Sequence, residues 1–154
     1  MKEYKVFAIN PGSTSTKIAM FVGDNEVFSK NVSHDAEELK KFAEINDQIP
    51  YRKKMILDAV AEAGQTLEGV DAFVGRGGGL VNCAGGTYPV NDKLYEHAHA
   101  GFTVKHPAML GAQFARAFAE QYGGQAFIVN PPDVDEFIDV ARVTGLKGVY
   151  RESR

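Results

Sequence analysis

One stretch constrains this chain more than any other: Tyr4 to Lys17, YKVFAINPGSTSTK, where an apolar run breaks abruptly into Pro11, Gly12 and four small hydroxyl residues. Tyr4 to Ile9 has the composition of a strand buried on one or both faces, and TKIAMFVG from Thr16 onward reads as the strand that returns beside it. The pair makes a hairpin. Its loop sets Asn10 at the strand end and gathers Ser13, Thr14, Ser15 and Thr16 around Gly12, where the missing side chain lets the backbone come close to an anion. Hydroxyl and amide donors are thereby concentrated at one rim, which is either a plain hydroxyl-rich turn or a phosphate-binding loop. The P-loop pattern GxxxxGK[ST] is not met, because no glycine directly precedes Lys17, so a Walker-type cradle is not expected.

The 154 residues suffice for one domain, and a domain of that size buries about 70% of its unfolded surface. A net charge of −3 with mixed signs leaves no basic stripe and argues against nucleic acid as the main partner. No apolar run approaches the roughly 18 residues of a membrane span and no signal-peptide pattern opens the chain, so a soluble, cytoplasmic protein is expected. The single cysteine, Cys83, fits a reducing compartment and reads as a small apolar residue rather than a nucleophile.

Beyond the hairpin, EVFSKNVSH from Glu26 reads as a third strand, completing a meander. Ser33 or Asp35 can cap a helix over AEELKKFAE, and Tyr51 to Ala63 is a better one, with an apolar stripe of Ile56, Leu57, Val60 and Ala63. Val70 to Val74 reads as a short buried strand running into Arg76, Gly77, Gly78 and Gly79. Arginine at the carboxyl end of such a strand sits where open α/β sheets bind ligands, and its fork suits a carboxylate or phosphoryl group. Three successive glycines let the backbone close around a small group, or leave a flexible loop with a solvated arginine. Thr87 to Val90 reads as another short strand, and a helix starts at Asn91. His97 and His99 point about 200° apart on that helix and do not share a metal ion. His106 differs: Pro107 follows it and opens the amphipathic helix PAMLGAQFARAFAEQYG, so His106 sits where the local field favours anions. Ala126 to Val129 makes one more buried strand, ending at Asn130, and Phe137 to Thr144 a short helix.

INPGSTSTKIAMF, the order strand, Gly, Arg, Gly-rich loop, GGTYPVN, and KHPAMLGAQFA together resemble butyrate kinase, of the acetate kinase family within the sugar kinase, actin and Hsp70 group. The resemblance implies an α/β fold of the actin-like or ribonuclease H-like type, a mixed five-stranded sheet with helices packed on it. It implies a phosphate loop in which Asn10 positions metal or phosphate and Gly12, Ser13 and Ser15 cradle phosphate. Arg76 would clamp the acyl carboxylate and the transferring phosphoryl group, with His106 donating to the phosphoryl oxygens. Gly77, Gly78 and Gly79 would open volume for a butyrate-sized tail, a preference of about 1–3 kcal/mol for one or two methylenes rather than strict exclusion. Asn130 stands where relatives carry an aspartate that organises magnesium, so Asn10 and Asn130 are the metal candidates, with Asp133 or Asp135 as substitutes. Asparagine keeps an oxygen but loses the charge a hard cation favours.

The resemblance covers essentially the whole chain but only the amino-terminal half of the kinase. The implied parent uses ATP and Mg²⁺ to phosphorylate a short-chain fatty acid, giving an acyl phosphate and ADP, as a homodimer. Residues 1–154 would be its amino-terminal domain, inactive without the carboxy-terminal nucleotide-binding domain. The alternative, which Asn130 suggests, is a non-catalytic actin-like scaffold or regulatory domain.

Overall fold

The hairpin forms from Lys5–Pro11 (β1) and Ser15–Val22 (β2), antiparallel, with Asn10 opposite Lys17 and Pro11 opposite Thr16. In this computed structural model, which describes residues 2–153, Asn25–Ser33 (β3) completes the meander. The chain then makes α1 (Ala36–Leu39), a 3₁₀ turn (Ile45–Gln48) and the long helix α2 (Ile49–Glu62). Next come β4 (Ala72–Gly75), β5 (Thr87–Pro89) and α3 (Asp92–Ala100), followed by a 3₁₀ turn (Pro107–Met109) that leads into α4 (Leu110–Tyr122). Gln125–Val129 (β6) and α5 (Asp139–Arg142) close the order. The sheet runs β3-β2-β1-β4-β6-β5. Its centre, β1-β4-β6, is parallel and both margins are antiparallel.

Alternation along the strands divides the sheet into two unlike faces. Phe7, Ile9, Ile18, Met20, Val32 and Phe73 point to one side, where they meet Ile56 and Val60 of α2 and Phe114 and Phe118 of α4. Phe7 and Phe73 set ring edges against one another at 6.3 Å, and Phe73 stacks on Phe118 at 5.9 Å. Ala98 of α3 and Ala112 of α4 pack with Ile128 of β6 on the same side. The opposite face carries Ala8, Asn10, Lys17, Ala19 and Val74 and forms the floor of an open groove.

Several expectations are corrected. The sheet has six strands where five were expected, because Thr87–Pro89 joins as an edge strand on β6; Pro89 is tolerated there because an edge needs no further ladder donor. The helix expected over AEELKKFAE is a single turn capped by Asp35, which accepts from the Glu37 and Glu38 amides. The chain breaks there so that Ile45 and Ile49 can pack on the core and Phe42 can meet Tyr51. The stripe of α2 includes Arg52 and Ala59 and excludes Ala63, which lies beyond the last turn. Residues 52, 56, 59 and 60 fall on one face at the 3.6-residue period. No helix among the described residues is long and apolar enough to cross a membrane.

Candidate functional site

The hairpin register brings side chains together that lie far apart in sequence. Asn10 pairs with Lys17 and Lys17 with Asn31, so all three stand side by side on the open face. Ile9 pairs with Gly75, and the Arg76 amide donates to the Ile9 carbonyl at 2.9 Å, which carries the row on to Arg76 beside Asn10. Gly75 pairs with Ile128, so Val129 and Asn130 complete the row. These residues line one groove of about 700 Å³ at the carboxyl ends of the parallel strands, where open α/β sheets bind ligands.

The groove suits an anion. Lys17 and Arg76 are exposed in it and make no ion pair among the described residues; Lys30 at its margin is held by Glu62 at 2.6 Å. No carboxylate among the described residues lines it. Among the described residues no group of three His, Cys, Asp or Glu side chains is placed to hold a metal. Asp135 is clamped by the Arg142 fork at 2.7 and 3.0 Å, and the pairing holds its carboxyl below the usual range. Asp133 is buried and accepts from the Thr103 hydroxyl at 2.9 Å. Neither lines the groove, so neither replaces the missing aspartate there. Asn130 adopts φ 42°, the one positive value outside glycine among the described residues, a backbone state asparagine tolerates. Its carboxamide oxygen accepts from the Gly86 amide at 2.8 Å while its own amide donates to the Gly86 carbonyl at 2.9 Å. The oxygen considered for metal-bound water is thus engaged by backbone. The donor set fits phosphate; to a magnesium ion the groove offers no carboxylate among the described residues and, of the two metal candidates, only the Asn10 carboxamide, which makes no hydrogen bond among them.

Gly12, Ser13 and Ser15 lie at the hairpin tip, just beyond the Asn10–Lys17 pair. A Cβ on Gly12 would come within 3.3 Å of the Ser15 carbonyl, so glycine keeps the turn tight. The hydroxyls of Ser13 and Ser15 make no hydrogen bond among the described residues.

His106 caps the 3₁₀ turn before α4, its Nδ1 accepting from the Ala108 amide at 3.1 Å. In the neutral ring this places the proton on Nε2, which leaves that nitrogen free to donate. His106 does not line the groove, but its turn is held next to the glycine loop: a Cβ on Gly78 would come within 3.1 Å of the Ala108 Cβ. The glycines themselves do not open a cavity. A Cβ on Gly77 would meet Ile128 at 3.0 Å and one on Gly79 the Gly101 backbone at 3.1 Å, and Gly79 has φ +70°. The Cβ direction at each of these glycines is occupied by protein, so they serve close packing.

Lys17, Asn31 and Arg52 were not singled out from the sequence. Alternation across the hairpin carries the signal for Lys17, since a four-residue loop after Pro11 puts it opposite Asn10. Arg52 offers no such signal, because a lysine- and arginine-rich helix start looks solvated.

No protein-family model matches the chain. It is 40% identical over 151 residues to butyrate kinase 2 of Clostridium acetobutylicum, a match covering 98% of this chain and 42% of that protein. Butyrate kinase 1 of the same organism is 41% identical over 150 residues, with 97% and 42% covered. Probable butyrate kinase 1 of Thermotoga maritima is 39% identical over 150 residues, again with 97% and 42% covered. The chain therefore spans about two-fifths of the length of these curated relatives. Among solved structures, Porphyromonas gingivalis acetate kinase superposes with a TM-score of 0.54 at 14% identity, covering 94% of this chain and 41% of that one. The chain is a homologue of the butyrate kinases, built on the actin-like α/β fold it shares with acetate kinase.

Proposed function

We propose that this chain is the amino-terminal domain of an acyl kinase that transfers a phosphoryl group reversibly between ATP and a short-chain carboxylate such as butyrate. The observation that carries the reading is the row of Lys17, Asn10 and Arg76 across the carboxyl edge of the sheet, two unpaired cations and a carboxamide with no carboxylate among them. Such a row attracts and orients a phosphoryl group and the carboxylate that receives it; catalysis by a site of this kind is positioning and charge stabilisation. Arg76 holds the acyl carboxylate and the charge that develops on the transferring group. His106 donates from Nε2, and the hairpin tip cradles phosphate. When bound, magnesium would neutralise nucleotide phosphate charge, and Asn10 is the groove residue that would help to hold it. The whole protein is inferred to be a cytoplasmic homodimer on the resemblance alone.

A hydroxamate assay for acyl phosphate tests the reading, using ATP, Mg²⁺ and acetate or butyrate with the 154-residue chain and with the gene's full reading frame. Product from the longer protein and none from this chain is expected, and Arg76→Ala should lower turnover at least a hundredfold, about 3 kcal/mol of transition-state stabilisation. No product with either acid would favour the second reading, a non-catalytic actin-like domain, which Asn130 and the carboxylate-free groove support.

A further inference from the structure

Behind the hairpin lies a charge that the groove does not use. Arg52 of α2 is 0% exposed, and no carboxylate pairs with it among the described residues. Its Nη1 donates to the Gly12 carbonyl at 2.9 Å, its Nη2 to the Ser13 carbonyl at 2.9 Å, and its Nε to Gln48 Oε1 at 3.0 Å. A buried cation without a counter-ion is costly, and an apolar side chain of similar size fills such a space without that penalty. Holding two successive carbonyls is what an apolar side chain cannot do.

In a trans peptide the carbonyl and the following N–H point in opposite directions, and the described residues contain no cis peptide. Turning the Gly12 and Ser13 carbonyls onto Arg52 therefore turns the amides of Ser13 and Thr14 away from it, to the exposed side of the loop. The next two carbonyls are also taken within the protein: Thr14's accepts from the His34 amide at 2.8 Å and Ser15's from the Gly12 amide at 2.7 Å. The Ser13 and Thr14 amides donate to nothing among the described residues. Successive outward amides flanked by unengaged hydroxyls form an anion-binding nest.

We propose that Arg52 is the positioning residue of this nest: it turns the Ser13 and Thr14 amides toward a phosphate and stands its own charge behind them. The proposal rests on the phosphate-binding reading of the hairpin. Its test follows the backbone amides of the 154-residue chain by ¹⁵N-resolved NMR while inorganic pyrophosphate is added. Saturable shifts at Ser13 and Thr14 are expected in the native chain. Arg52→Met should abolish them and weaken binding at least tenfold with the core methyl spectrum retained, while Arg52→Lys recovers part of the affinity. Gln48→Leu, which frees only the Nε anchor, gives a second variant should Arg52→Met fail to fold, and should weaken binding a few-fold. Native-like shifts and affinity in any folded Arg52→Met protein, or in Arg52→Lys and Gln48→Leu together, overturn the role of Arg52 alone. No shifts in the native chain overturn the phosphate reading of the loop, and the proposal with it.

Discussion

Arg52 and His34 meet at one hydroxyl. Thr16 Oγ1 lies 3.3 Å from Arg52 Nη1 and 2.8 Å from His34 Nε2, all of them buried. Arginine only donates, so the threonine accepts from it, while its bond to the imidazole Nε2 runs in the direction the ring tautomer sets; Nδ1 has no partner among the described residues. Burial first, and then the Arg52 charge, push His34 down to about 4, whereas burial pushes Arg52 down to about 10 and leaves it charged at neutral pH. The folded state thus prefers neutral His34, while the unfolded chain protonates it near its ordinary value of 6.5. Between these two values the unfolded state binds more protons. Stability should therefore be complete above about pH 6.5, fall on acidification and level off near pH 4, by on the order of 3 kcal/mol in all. Urea midpoints across this range should slope in the native chain and flatten in His34→Gln; equal slopes would remove His34 as the cause. Lys17 works at the same scale. With no ion pair to lose among the described residues, Lys17→Met should leave the unfolding free energy from urea titration within about 0.5 kcal/mol yet weaken pyrophosphate binding several-fold by calorimetry.

At the scale of elements, the site depends on how closely α4 approaches β4. A Cβ on Gly111 would fall 1.9 Å from the Arg76 carbonyl, and one on Gly75 would fall 2.1 Å from the Gly111 carbonyl. Strand end and helix start are in backbone contact, which holds Arg76 at the groove and the His106 turn beside the glycine loop. Gly111→Ala must push these elements apart, and is expected to cost about 3 kcal/mol or more in denaturant unfolding. Gly64→Ala meets nothing within 4 Å and has only a left-handed backbone, φ +67°, to strain, so about 1–2 kcal/mol is expected there. Similar losses at both positions would show that the close contact is unimportant. Neither contact is legible in the sequence: Gly111 looks like a weak point in a good helix, and the Gly77–Gly79 run looks like open space. Both glycine sets are explained only by what packs against them.

For the whole molecule, the two-faced sheet is the governing fact. One face buries the core under α2, α3 and α4, and the other is the floor of the groove. The sheet forms the floor of the groove; the hydroxamate comparison decides whether a longer chain completes a phosphoryl-transfer site. The sequence by itself determined the strands, the hairpin, the two main helices and the placement of Asn10, Arg76 and Asn130 at strand ends, because alternation, helical period and turn residues are local signals. It also carried the likeness to butyrate kinases. Only the tertiary structure decided that Lys17 joins the row, that Arg52 is buried behind the loop, that Asp133 and Asp135 are engaged elsewhere, and that the glycines are filled in. Each of these depends on which residue lies across a strand pair or beneath a helix, and contact between residues distant in sequence is set by packing, not by local preference.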